Sequence, residues 1–229
     1  MRIGAAVSLA ASLGFLGVLG TSSPAAAEDG FDGTRPKGSY VQIPPAEPGT
    51  AELHSSSIIS GTVTVREFNA GNSAWNAVVA CVKAMYEPFG VEITDQDPGS
   101  TVSHFEAIVA GYPQDIGAGS GVGGVSPFSC GIINNAITYS FANIYGGSVQ
   151  DICEVVAQET AHAFGLDHEY YCPDPMTYLY GCGAKQFRDY NAPCGEGSAR
   201  QCACGGSTQN SYQKILSIFG PGTPTPPTV

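Results

Sequence analysis

The chain has 229 residues and a formal charge of −11, from nine Lys and Arg against twenty Asp and Glu. That balance excludes the basic face with which a protein grips nucleic-acid phosphates. The length suits one folded domain around one core, and eight cysteines point to an oxidising compartment.

Residues 1–27 read as an export signal, with Arg2 at the start, an apolar run from Ile3 to Leu19, and Ala25-Ala26-Ala27 as the cleavage site before Glu28. The unbroken apolar run is shorter than the roughly 20 residues that span a bilayer. No Cys follows it to carry a lipid, so the mature form is expected to be secreted and free of membrane. Loss of Arg2 leaves it one unit more acidic, which favours solubility and cationic partners. Residues 28–60 are rich in Pro, Gly and Ser and read as a linker or short pro-segment, with no Cys to cap a metal.

Residues 61–220 are expected to form one α+β domain. Thr62 to Phe68 alternates as a strand. Asn72-Ser73 offers an N-cap for a helix over 74–87, whose Trp75, Val78, Val79, Val82 and Met85 share one apolar face. Val91 to Thr94 is a short strand. It runs into a turn where Asp95 and Asp97 offer either ordinary turn chemistry or a Ca2+ site. His104 to Tyr112 is another strand. Gly117 to Gly124 holds five glycines in eight positions, lacks the Lys of a phosphate loop, and reads as a flexible surface loop. Ile132 to Ile144 is a strand pair or one long strand, with Ile137, Tyr139 and Phe141 on one face.

Ser148 to Asp151 fits a capping box opening a helix over 149–164, and Gly165 stands where a left-handed C-terminal residue is wanted. A loop-rich, Cys-rich stretch follows, then a closing helix over 211–219. The Pro/Thr-rich tail 221–229 is expected to be disordered. Cys81, Cys130, Cys153, Cys172, Cys182, Cys194, Cys202 and Cys204 allow up to four disulfides in 105 connectivities. Proximity suggests local staples among the last five. No C-x-x-C pair supports a cysteine zinc site at Cys202-Ala203-Cys204.

The helix over 149–164 carries the chemistry. Residues four apart on a helix share a face, so Gln158 and His162 point the same way, with Glu159 beside them. Gly165 permits a sharp exit that swings His168 back toward them. The run Gln158-Glu159-Thr160-Ala161-His162-Ala163-Phe164-Gly165-Leu166-Asp167-His168, followed by Met176, matches the pattern H-E-x-x-H-x-x-G-x-x-H with a Met-turn, except that Gln158 stands at the first His.

On those residues the chain resembles the metzincin clan of zinc endopeptidases. His162 to His168 looks most like the matrixins, which also place the Met of the Met-turn eight residues after the last His. The resemblance implies a twisted, mostly parallel sheet with two long helices and a Cys-rich C-terminal part. It implies His162 and His168 as Zn2+ ligands, Glu159 as general base, Met176 as the apolar floor, and a protein or peptide substrate laid as an added strand on the long strand ending near Ile144. Gln158 is the departure, because zinc prefers nitrogen and sulfur to an amide oxygen. Three readings stay open. Gln158 ligates weakly through oxygen. Tyr178, which is similar to the Tyr that approaches zinc in the astacin and serralysin branches, replaces it. Or the chain is a pseudo-protease that binds without cleaving. His54 and His104 lack ligand spacing. Nothing in the sequence sets an oligomeric state.

Overall fold

The computed structural model describes residues 58–59, 63–96 and 103–222, together with the backbone of two short strands at 6–8 and 40–41. Its elements are β1 (Ala6–Ser8), β2 (Tyr40–Val41), β3 (Thr64–Val65), α1 (Gly71–Tyr86), β4 (Glu92–Thr94), β5 (His104–Val109), β6 (Gly124–Val125), β7 (Ile137–Ser140), α2 (Val149–His162), β8 (Ala192–Pro193), β9 (Thr208–Gln209) and α3 (Ser211–Phe219). The fold is α+β, as expected. The remainder of 28–60, Asp97 and residues 223–229 lie outside the described residues.

The main sheet has the order β4-β1-β5-β7-β6. β5 and β7 pair in parallel, whereas β1 is antiparallel to both its neighbours and β6 is antiparallel to β7. The sheet is therefore mixed rather than mostly parallel. An antiparallel return needs only a loop, while each parallel step needs a long crossover, and the stretch between β6 and β7 is a loop. β1 falls inside the expected export signal, so a chain beginning at Glu28 would lack the strand between β4 and β5.

The strand expected over 62–68 shrinks to two residues, which pair with β2 outside the main sheet. Just beyond them the Arg66 N–H donates to Asp115 Oδ2 (3.1 Å) rather than to a ladder partner. The long strand expected near Ile144 shrinks to β7. Asn135 enters the left-handed region before it, with φ of 54°, and a 3-10 turn at Ala142–Tyr145 follows it. All four residues of β7 are buried between β5 and β6. It is an inner strand, and the sheet edge on this side is β6.

α1 begins at Gly71, three residues earlier than expected, and neither Asn72 nor Ser73 caps it. Its face of Trp75, Val78, Val82 and Met85 is buried. It packs on α2, to which Cys81–Cys153 ties it and the Tyr86 hydroxyl donates at Ala157 O (3.1 Å). α2 is enclosed by the sheet, α1 and the C-terminal segment, so nearly every residue from Ile152 to Ala161 is buried. The expected capping box is not formed: the Ser148 side chain makes no cap bond, and only its carbonyl takes the Ile152 N–H. The other end forms as expected. Gly165, at φ of +85°, donates to His162 O (3.0 Å) and Leu166 N–H to Ala161 O (3.2 Å), the paired bonds of a Schellman turn. A side chain at 165 would press on the Ser129–Cys130 backbone at 3.0–3.1 Å.

α3 docks through Ile215 and closes the core, where Phe105, Phe164 and Phe219 meet edge to face. All eight cysteines pair, as Cys81–Cys153, Cys130–Cys204, Cys172–Cys182 and Cys194–Cys202. Two of these are the local staples expected, but Cys204 reaches back to Cys130. Among the described residues no helix is long and apolar enough to cross a membrane.

Candidate metal centre

Three of the motif residues arrive on α2 and one on the chain that doubles back from Gly165. His162 Nε2 and His168 Nε2 face each other at 3.1 Å, with the rings perpendicular. The other nitrogen of each ring is already engaged. His162 Nδ1 lies 2.7 Å from Leu166 O, and His168 Nδ1 lies 2.9 Å from Glu196 Oε1. A carbonyl and a carboxylate only accept, so each ring carries a proton on Nδ1. Burial, reinforced by His168, pushes His162 down to about 4 and keeps it neutral. The neutral His162 ring therefore turns its Nε2 lone pair toward His168 Nε2. Tetrahedral zinc, with bonds of about 2.0–2.1 Å to each nitrogen, sets two imidazole nitrogens ~3.3 Å apart. The pair therefore fits the metal the motif implies.

Glu159 is buried, and burial pushes its carboxyl up to about 8. It lies against β6. A side-chain carbon at Gly124 would fall 2.5 Å from Glu159 Cγ and 2.7 Å from its Oε1. The glycine-rich stretch is thus more than a surface loop, because its last residue forms one wall of the site. Only a residue without a side chain lets the sheet edge approach the carboxylate this closely.

Gln158 is 7% exposed, and its Nε2 donates to Pro175 O (2.8 Å) and at longer range to Thr177 O (3.5 Å). Both partners are carbonyls, which dictates that the NH2 faces the Met-turn and that Oε1 lies on the other side of the amide. Met176, between those carbonyls, is fully buried. Its N–H donates to Asp174 Oδ1 (2.9 Å), and its carbonyl accepts from Glu169 N–H (2.8 Å). Asp174 also takes the Arg188 N–H (2.9 Å) and the Ser211 hydroxyl, so it anchors the Met-turn to α3. Tyr178 is half exposed and meets His168 ring to ring, with centroids 4.3 Å apart. Burial, then the Glu159 and Glu196 charges, raise its hydroxyl. His104 is buried as the first residue of β5, and His54 lies outside the described residues. Asp95 accepts from Trp75 Nε1 (3.3 Å), a packing role on α1.

Two site residues escaped the sequence reading. Glu196 and Arg200 come from the Cys-rich stretch, 28 and 32 positions after His168, and no motif spacing marks them. Arg200 grips Asp167 through NH1–Oδ2 (2.6 Å) and NH2–Oδ1 (2.8 Å), and Glu196 through Nε–Oε2 (3.1 Å) and NH2–Oε1. Asp167, His168 and Glu196 bring three ligand atoms within 4.8 Å of one another, but the guanidinium already supplies the cation there. Arg200, against some opposing burial, holds Glu196 down to about 2. Burial opposes ionisation at Asp167, yet Arg200 and the Ala203 and His168 N–H groups hold it at about 2. No protein-family model, curated protein or solved structure matches this chain.

Proposed function

We propose that the chain is a secreted, zinc-dependent endopeptidase of the metzincin kind. The observation that carries this is the approach of His162 Nε2 and His168 Nε2 to 3.1 Å, each ring with its Nδ1 on an acceptor, beside the buried Glu159. His162 and His168 would hold the metal. Gln158 Oε1, on the side of the amide away from Pro175 and Thr177, would supply the third protein ligand, and Tyr178 flanks His168. When bound, zinc supplies Lewis acidity to a water and to the scissile carbonyl. Glu159 takes a proton from the attacking water on its carboxylate and passes it to the nitrogen of the leaving amine. Among the described residues no strand lies on the outer side of β6, and its backbone groups would pair with an extended peptide and bring it across Glu159. Four disulfides suit export.

One observation favours a second reading, a metzincin-like protein that binds a peptide without cleaving it. The Gln158 amide is tied to two Met-turn carbonyls, a structural role that needs no metal. The two readings separate on unstructured peptide substrates. The protease reading expects cleavage that a chelator abolishes and added zinc restores. Peptide binding without cleavage, in zinc-loaded protein, would establish the second.

A further inference from the structure

We infer that Glu196, clamped by Arg200, positions His168 as a metal ligand by fixing the proton on its Nδ1 and turning its Nε2 toward His162. The inference rests on the two-histidine centre proposed above and names the part of the chain that controls it.

The two histidines are oriented by different means. His162 is held locally, by Leu166 O from the turn that ends its own helix. His168 lies beyond that turn, and the partner of its Nδ1 is Glu196 at 2.9 Å, from a distant loop. That loop is built to deliver the carboxylate. Cys194 pairs with Glu169 as an antiparallel bridge, and Gly195 N–H donates to His168 O (2.9 Å). Cys194–Cys202 closes the loop, and Arg200 N–H returns to Cys194 O (2.7 Å). Gly195 has a φ of +141°, and a side chain there would collide with the Ser198 carbonyl oxygen, so the tight turn before Glu196 requires glycine.

The polar contacts then form a closed circuit. Asp167 Oδ1 accepts the His168 N–H (2.8 Å), both Asp167 oxygens hold Arg200, Arg200 holds both oxygens of Glu196, and Glu196 accepts a hydrogen bond from His168 Nδ1–H. The circuit begins and ends on adjacent residues, so backbone and ring of His168 are fixed together. A carboxylate on the far nitrogen sets the tautomer and raises the basicity of the ligating one. Arg200 keeps Glu196 in this supporting place, because both carboxylate oxygens are occupied.

The test uses the full secreted chain. Long-range proton–nitrogen NMR of the metal-free protein reads the His168 tautomer, and competition titration with zinc reads affinity in wild type, Glu196→Ala and Glu196→Gln. Wild type is expected to carry the His168 proton on Nδ1. Glu196→Ala is expected to lose that preference and to bind zinc about 10–100-fold more weakly. Glu196→Gln, which keeps an oxygen acceptor, is expected to retain the tautomer and lose less. An Nε2–H tautomer in wild type, or an Ala variant within about twofold of wild-type affinity, would overturn the inference. If the Ala variant does not fold, the wild-type tautomer and the Gln titration decide. If wild type binds no zinc, the proposed function fails while the tautomer measurement still decides this point.

Discussion

Glu159→Gln is expected to lower peptide hydrolysis by about 10²–10⁴-fold with zinc content unchanged. Gln keeps the shape that fits against Gly124 but cannot take up a proton, so the variant separates the chemical step from metal binding. A stability effect accompanies it in the metal-free chain. Burial holds the Glu159 carboxyl at about 8, well above its ordinary 4.5, so the folded state favours its protonated form. That stabilisation is fully present below the unfolded value and is lost as pH rises to about 8. Gln is neutral throughout, so the variant is expected to melt at a higher temperature than wild type near pH 8 and at the same temperature near pH 4. Peptide hydrolysis equal to wild type would remove Glu159 from the mechanism.

Gln158→His is expected to act in opposite directions on the two forms of the protein. An imidazole nitrogen in place of an amide oxygen is expected to tighten zinc binding by about 100-fold, ~3 kcal/mol. The metal-free chain is expected to lose about 1–3 kcal/mol, because a neutral imidazole has one N–H where the amide offers two to the buried carbonyls of Pro175 and Thr177. Calorimetric melts with and without zinc measure both. Lower stability without zinc together with higher stability in its presence is the expected signature. Unchanged zinc affinity would mean that position 158 does not face the metal.

The helices were legible from sequence because their signals are local. The apolar faces of α1 and α3, the N-terminal break at Gly146-Gly147 and the left-handed Gly165 each act within a few residues, and all three helices form within about three residues of the expected bounds. The convergence of His162 on His168 was legible for the same reason, since one helical turn and one tight reversal produce it. Caps were less legible: Ser148 has the right type and position, yet its side chain makes no cap bond. The sheet was misread where pairing is non-local. The direction of β6 and the burial of β7 depend on what lies beside them, and alternation within one strand does not encode that. The wall at Gly124 and the Glu196–Arg200 clamp were invisible because each joins stretches tens of residues apart. Glu196 depends on a loop closed by Cys194–Cys202 and on a glycine whose φ is +141°. The even cysteine count signalled such bridges without saying which residues they would bring to the histidines.

The central claim is that His162 and His168 form a working metal pair although Gln158 stands where a third His is expected. The most direct measurement is the zinc content of the purified secreted chain by elemental mass spectrometry, after equilibration with modest free zinc, beside a His162→Ala control. About one zinc per chain in wild type, lost in the control, is the predicted result. Background zinc in both would contradict the account.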